Sequence, residues 1–518
     1  MSANRLRRIT KQTADSKYRP VPALMFLAMV WAMGLAQPAF AGAADGEHYN
    51  ITAPDATPDT TPPTLLDKLS TPFQDPWYAS PEVIRSGVIL PGDDGSASCP
   101  AQKDFATPLA LGEAVDLALC NNAQIKMTWA GIKVSAAAAG EAKAAYLPTV
   151  SATLSRLNDQ TRHPDSNTPI SSINSNTVYG TLSWRLFDFG GRAANQEVAR
   201  RGLIAALANH DAMLQKTLSG VIQAYFNAQT SQAAWQAKQQ NEDIALSTLE
   251  TAMRREVRGA GAHSDTLQAT TALARAVLDK NRAIGAYHKA LSVLIYAIGV
   301  PTHTKLALAD DLSDGSAQAI KDLDDWLQEA GQQHPAILAA RAQLEAAQYK
   351  VKATRSEGLP TVDFSANYYE NGRPNQGVTS TNTQERTLGV SLNIPLFDGF
   401  SRTYKIRGAE AQVEQKGAEL QDTEHQILME VVKSHADAVA ALQNLQASAA
   451  LLTAAQEALK VSKRKYEKGV ADILEILNTQ AALSDAQQER IRDLAEWRSA
   501  RLQLLANAGV MGRSMVRP

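Results

Sequence analysis

Two acidic runs, "DDLSDG" at 310–315 and "DLDD" at 322–325, are the densest groups of hard-metal ligand types in the chain. Clustered carboxylates suit calcium, but an EF-hand loop needs ligands at alternating positions, a central glycine and a closing glutamate. That spacing is absent, so both runs read as a solvated connector. The nine histidines are scattered, with no His-Glu-x-x-His pair and no Cys-x-x-Cys. No glycine-rich phosphate loop follows a strand-like run. The residue types therefore predict no catalytic residue, no cofactor and no metal. The two cysteines, Cys99 and Cys120, point instead to structure. In an exported chain they predict a disulfide that closes a loop of about 20 residues and is worth roughly 3 kcal/mol. Two buried free thiols are the alternative.

Export is read from the first residues. Arg5, Arg7, Arg8, Lys11, Lys17 and Arg19 form a basic stretch, Val21 to Leu35 is apolar, and Ala39-Phe40-Ala41 fits a cleavage site. The pattern predicts a signal peptide over 1–41, with an uncleaved anchor helix as the alternative. Residues 42–108 are broken by prolines, among them "TAPDATPDTTPPT" and Pro72, Pro76, Pro81, Pro91, Pro100 and Pro108, and read as an extended strap. Charge is nearly balanced, with 51 Lys and Arg against 53 Asp and Glu, so nucleic acid is not an expected partner.

Beyond the strap the chain repeats itself. "ALCNNAQI" at 118–125 answers "AGQQHPAI" at 330–337, and "YLPTV" at 146–150 answers "GLPTV" at 358–362. "LFDFGGR" at 186–192 answers "LFDGFSR" at 396–402, and "GAGAHSDTLQATTAL" at 259–273 answers "GVADILEILNTQAAL" at 469–483. The offsets are 210–212, which predicts two copies of one unit over 109–300 and 323–510, a connector at 301–322 and a tail at 511–518.

Each copy reads as a helix over about 35 residues, two strands, a very long helix and a shorter return helix. In the strands Val150, Ala152 and Leu154 alternate with Ser151, Thr153 and Ser155, and Leu182 and Trp184 alternate with Thr181 and Ser183. The second pair repeats this with Val362, Phe364 and Ala366 against Asp363, Ser365 and Asn367, and with Leu388, Val390 and Leu392 against Thr387, Ser391 and Asn393. Runs of roughly 9–10 residues fit tilted membrane strands, and a two-sided soluble sheet has the same period. Polar loops are expected at 158–177 and 370–386. The stretches 190–258 and 399–468 lack proline and would each extend roughly 100 Å as helix. Ala438, Leu445, Leu452 and Leu459 mark a heptad seam, flanked by further alanines. The turns that follow, around Gly259 and Gly469, end two helical hairpins.

Four strands cannot close a wide barrel, and an open sheet edge has no partners in lipid. If the strands lie in a membrane, several chains share one barrel. Two chains give eight strands and a filled interior, whereas three give twelve and room for a channel.

The duplicated plan, the "LPTV" turns, the "LFDGG"-like corners and the stretch "RKYEKGVADILEILNTQAALSDAQ" closely resemble the TolC family of outer-membrane exit ducts. The resemblance covers about 109–510, and "DLALCNNAQ" with its upstream cysteine resembles the CyaE-type branch. It implies an α+β membrane protein of the cell outer membrane, mostly long coiled-coil helices forming a periplasmic α-barrel. The implied assembly is a homotrimer in which four strands per chain build a shared twelve-stranded β-barrel in the outer-membrane lipid. The implied partners are a periplasmic adaptor protein and an inner-membrane transporter, either ABC-type or proton-driven.

The family's entrance residues map onto Asp265 and Gln268 in the first hairpin and onto Tyr466, Glu475 and Asn478 in the second. Asn478 stands where a second acidic residue is expected, and Ala471 where some members carry a basic clamp. A bond from Tyr466 to Asp265 remains an expected closure. Arg258, Gly259, Gly261, Lys468 and Gly469 map onto the adaptor-facing tips. The repeated corner has its own reading. Trp184, Phe187 and Phe397 suit a membrane–water interface, Asp188 and Asp398 suit helix caps, and Gly190 and Gly399 suit a bend.

The leading functional expectation is a passive duct, with type I protein secretion ahead of small-molecule efflux. A soluble periplasmic coiled-coil scaffold is the rival.

Overall fold

The computed structural model describes residues 107–161, 164, 171–309, 320–370 and 383–512. The expected signal peptide, nearly all of the strap, Cys99, the "DDLSDG" run and most of the C-terminal tail lie outside these residues.

The elements follow in the order α1 (Leu111–Asn121), α2 (Ala123–Ala144), β1 (Thr149–Thr161), β2 (Ser171–Phe187), α3 (Gly191–Val257) and α4 (His263–Ile298). The order then recurs as α5 (Leu323–Gln333), α6 (Pro335–Ser356), β3 (Thr361–Glu370), β4 (Gln384–Asn393), α7 (Ser401–Glu467) and α8 (Ile473–Asn507). The expected single helix over about 111–146 is two helices, and so is its counterpart. The chain breaks at Asn122 (φ −63°, ψ 124°) and at His334 (φ −63°, ψ 123°). Asn122 Oδ1 accepts from Gln124 N at 2.8 Å, and His334 Nδ1 accepts from Ala336 N at 3.2 Å. Each side chain thus replaces the backbone partner that a helix start lacks. The apolar periodicity continues through the break, so it gives no sign there.

The first strand pair is longer than expected, 13 and 17 residues against 10 and 10 in the second, because much of the polar stretch 158–177 is itself strand. All four strands form one antiparallel sheet in the order β1-β2-β3-β4. Its register lines up like residues. Val150 faces Leu182, Leu182 faces Ala366, and Ala366 faces Leu388; one position along, Ser151 faces Thr181, Thr181 faces Asn367, and Asn367 faces Thr387. With a period of two, the first row and its alternates make an apolar face and the second a polar face. The apolar face is bare: Leu154, Leu388 and Val390 are 79%, 77% and 67% exposed. Among the described residues β1 and β4 each have one strand neighbour, so both outer edges carry unpaired backbone groups.

The helices α3 and α7 have 67 residues each, which at 1.5 Å per residue is about 100 Å. The best-buried core lies far from both the sheet and the hairpin turns, where α1, α3, α4 and the end of α8 meet. Leu218, Ile222, Leu294, Ile298 and Met511 are fully buried there. Burying each such side chain contributes about 1.5–3 kcal/mol. A short parallel bridge from Leu109 to Leu308 closes this region, and Tyr225 Oη donates to Leu109 O at 3.1 Å. A second cluster forms around Trp326, Val431, Ala438, Trp497 and Leu504.

Candidate functional site at the hairpin tips and strand–helix corners

Both hairpin turns use one design. Gly259 (φ 70°) and Gly469 (φ 78°) take left-handed backbone, where a Cβ is strained. Gly259 N donates to Glu256 O and Ala260 N to Arg255 O, both at 2.9 Å; Gly469 N donates to Tyr466 O and Val470 N to Lys465 O, again at 2.9 Å. This paired pattern satisfies the last helix carbonyls. Arg258, Gly259, Lys468 and Gly469 are exposed at the two ends, and Gly261 is half-buried. Asp472 Oδ1 accepts from Glu475 N at 2.9 Å and caps α8.

The two hairpins meet through Arg255 and Tyr466. The guanidinium lies 4.5 Å from the centre of the Tyr466 ring, Nη1 donates to Tyr466 O, and Nη2 donates to Ala260 O at 3.1 Å. Tyr466 is 1% exposed, and its Oη has no hydrogen-bond partner. The expected bond from Tyr466 to Asp265 is therefore not made. Arg255 covers the ring, and the hydroxyl is shut inside the packing against Ile473 and Ile476. Burial pushes the phenol pKa up, the charge of nearby Asp265 adds to this, and Arg255 opposes it. Arg255 was not among the residues expected from sequence.

The other entrance candidates are spread along the same ends. Glu475 is ion-paired, its Oε1 3.1 Å from Lys465 Nζ, so it is not a free carboxylate. Asp265 is half-buried and Asn478 exposed. Gln268 lines an open groove of about 680 Å³ between α3, α4 and α8 that also holds Lys238, Asn241 and Gln480. Two further links cross between the hairpins: Gln480 Nε2 donates to Thr248 Oγ1 at 2.6 Å, and Lys238 Nζ donates to Ser484 Oγ at 2.9 Å. In the first tip His263 Nδ1 lies 2.8 Å from Glu256 Oε1, and bonds from Thr266 and His263 hold the Glu256 carboxyl below its ordinary pKa.

At the opposite end stand the two corners. Asp188 Oδ2 accepts from Arg192 N at 2.8 Å, and Asp398 Oδ2 accepts from Arg402 N at 2.9 Å. Both corners place two consecutive residues at positive φ, with glycine and phenylalanine exchanged: Phe189 (49°) and Gly190 (87°), then Gly399 (66°) and Phe400 (65°). A phenylalanine in that region costs about 1–2 kcal/mol, so the bracing around it matters. The bracing comes from the arginines, whose spacing was visible in the sequence but whose partners were not. Arg192 Nε pairs with Asp188 at 3.1 Å, Nη1 donates to Arg185 O at 2.7 Å and Nη2 to Leu186 O at 3.2 Å. Those carbonyls flank the bulge at which β2 slips register against β3. In the second corner Arg402 Nη1 donates to Gly358 O at 2.6 Å. Trp184 Nε1 donates to Tyr146 O at 2.9 Å, while Phe187, Phe397 and Phe400 are 52%, 75% and 64% exposed.

Cys120 is buried and disulfide-bonded; Cys99 lies outside the described residues. No cluster of three or more potential metal ligands occurs among the described residues. In the "DLDD" run Asp322 caps α5, accepting from Leu323 N at 2.9 Å, and Asp324 and Asp325 occupy its first turn, where negative charge suits the helix dipole.

The model of the outer membrane efflux protein family matches residues 114–300 and 326–510. Protein CyaE of Bordetella pertussis is 35% identical over 439 residues, 83% of this chain and 92% of that protein. Alkaline protease secretion protein AprF of Pseudomonas aeruginosa is 23% identical over 323 residues, 60% of this chain and 66% of that protein. Among solved structures, the outer-membrane channel OprN shares the fold with a TM-score of 0.69 at 18% identity, over 83% of this chain and 98% of that one.

Proposed function

We propose a passive export duct for this chain, starting from the premise that it belongs to the outer membrane efflux protein family. It is an outer-membrane protein that extends into the periplasm. Three copies would join β4 of one to β1 of the next, giving a closed barrel of twelve strands. The carrying observation is the sheet itself: one bare apolar face, one polar face, and two edges without neighbours among the described residues. Closure satisfies the edges, lipid covers the apolar face, and the polar face lines a lumen. The long helices would continue that lumen as a tunnel of about 100 Å.

In this reading the hairpin tips form the periplasmic entrance and meet an adaptor, which connects the duct to an inner-membrane pump. The Arg255–Tyr466 contact ties the two hairpins of one protomer together and favours a closed entrance. The cargo reading is type I protein secretion, supported by the similarity to CyaE and to a protein named for alkaline protease secretion. Small-molecule efflux is the second reading, supported by the name of the family model.

The test is twofold. The purified protein is expected to migrate as a heat-modifiable trimer, to fractionate with the outer membrane and to conduct ions in a planar bilayer. A soluble, monomeric periplasmic protein would overturn the duct. Cargo is tested by deleting the gene and measuring a secreted protein in the medium alongside susceptibility to small toxic compounds. Loss of the secreted protein alone supports the first reading, and hypersensitivity alone the second.

A further inference from the structure

The polar face of the sheet carries one fixed charge pair near its helix end. Arg185 on β2 stands directly opposite Asp363 on β3, with Nε 2.9 Å from Oδ1, and the two side chains remain 50% and 34% exposed. Thr361 Oγ1 donates to the second carboxylate oxygen, Asp363 Oδ2, at 3.1 Å. Arg192 donates to the Arg185 carbonyl at 2.7 Å, so the backbone beneath the pair is itself held. The next two rows of that face, Ser183 opposite Ser365 and Thr181 opposite Asn367, are neutral. An exposed pair of this kind adds little stability. What it does fix is charge: each residue cancels the other on a wall that is otherwise uncharged over these rows.

We propose that Asp363 is a selectivity-determining residue of the duct, holding the barrel lumen neutral at its junction with the helical tunnel by cancelling Arg185. The inference rests on the duct reading above, in which the polar face lines the lumen. In a trimer the pair recurs three times around one level. Removing one partner leaves three like charges facing a confined aqueous path, where screening is weaker than at an open surface. Arg185 alone would hold anions there, and Asp363 alone would hold cations.

The test uses the full-length trimer in planar bilayers, with multivalent ions added from one side at a time. Hexaamminecobalt(III) is the cationic probe and hexacyanoferrate the anionic one. Asp363→Asn is expected to strengthen hexacyanoferrate block from the barrel side roughly tenfold. Arg185→Gln is expected to strengthen hexaamminecobalt block from that side by a similar factor. The double variant, with neither charge, is expected to return to wild-type behaviour. Sidedness separates this level from the hairpin tips, where a carboxylate acts from the other end. Should a single variant fail to assemble, the exchanged pair Arg185→Asp with Asp363→Arg restores the contact and is expected to block like wild type. Single variants that assemble and block like wild type from the barrel side overturn the proposal. A wild-type protein that forms trimers but passes no current counts against the duct itself.

Discussion

Arg255 and Tyr466, one in each hairpin and 211 residues apart, lie against each other with the guanidinium 4.5 Å from the ring centre. Each sits in the last turn of its long helix and its carbonyl accepts a turn bond, Arg255 O from Ala260 N and Tyr466 O from Gly469 N. The repeat offset here is 210, so Arg255 answers Lys465 and Tyr466 answers Glu256, and the halves are joined through neighbouring rather than matched positions. The cation–π contact and the one charge-assisted hydrogen bond that cross between the hairpins are together worth roughly 2 kcal/mol, which is about thirtyfold in an open-to-closed ratio. Arg255→Ala is therefore expected to raise single-channel conductance or open probability sharply. Tyr466→Phe is expected to change neither, because the Tyr466 hydroxyl has no partner to lose. A Tyr466→Phe channel that opened as far as Arg255→Ala would mean that the hydroxyl, not the ring, holds the closed form.

The pairing of Glu475 with Lys465 changes what the acidic position should do. The two side chains are 39% and 50% exposed, so the pair itself contributes only about 0–1 kcal/mol. Lys465→Ala is expected to free the carboxylate and to strengthen block by divalent or trivalent cations from the hairpin side. Glu475→Ala is expected to weaken that block. Bilayer recordings with cations added on the hairpin side check both. Equal block in wild type and both variants would remove Glu475 from the conducting path.

These two cases show where the sequence was readable and where it was not. Alternation in the strands carried the two faces of the sheet correctly, since period two leaves no freedom once one residue of a strand is placed. Long helices and glycine turns were equally plain. The breaks at Asn122 and His334 were not, because apolar spacing runs on through them and only a local cap marks the site. The corner arginines were visible as a spacing, yet their partners, Leu186 O and Gly358 O, depend on a bulge and on a distant turn. The choice of Tyr466's neighbour was likewise a matter of packing: Asp265 and Arg255 both lie near, and the ring took the cation.

The corner makes a stability prediction. Arg402 reaches across 44 residues to the Gly358 carbonyl at 2.6 Å and also receives the Asp398 cap through its backbone nitrogen. Removing the side chain strands one acceptor near a phenylalanine held at positive φ, a loss of roughly 1–3 kcal/mol per protomer. Arg402→Ala is expected to lower the temperature at which the oligomer dissociates in detergent. Asp398→Ala costs about 1 kcal/mol by losing the cap, and Asp398→Asn is expected to stay near wild type. Thermal dissociation followed by gel mobility measures all three. An Arg402→Ala oligomer as heat-stable as wild type would show that the guanidinium braces nothing.

His334 supplies a pH dependence whose sign is fixed by its bond. Its Nδ1 accepts from Ala336 N, so the ring must be neutral, and burial pushes its pKa down from 6.5 to about 4. Above pH 6.5 the ring is neutral in folded and unfolded chains alike, and nothing is lost. As pH falls from 6.5 toward 4, the unfolded chain binds a proton that the folded one refuses, and stability drops by roughly 3 kcal/mol in all. His210, buried beside Trp129 and also lowered to about 4, acts in the same direction; Asp211, pushed up to about 7 by burial, acts in the opposite one. The contribution of His334 is isolated by a substitution that the chain already contains. Asn122 performs the same cap in the first copy with matching backbone angles and does not titrate. His334→Asn is therefore expected to keep wild-type stability at pH 7.5 and to gain relative to wild type as pH falls from 6.5 to 4. Denaturant unfolding at a series of pH values checks this. A difference between the two proteins that stays constant across that window would mean that the ring is not held neutral in the folded chain.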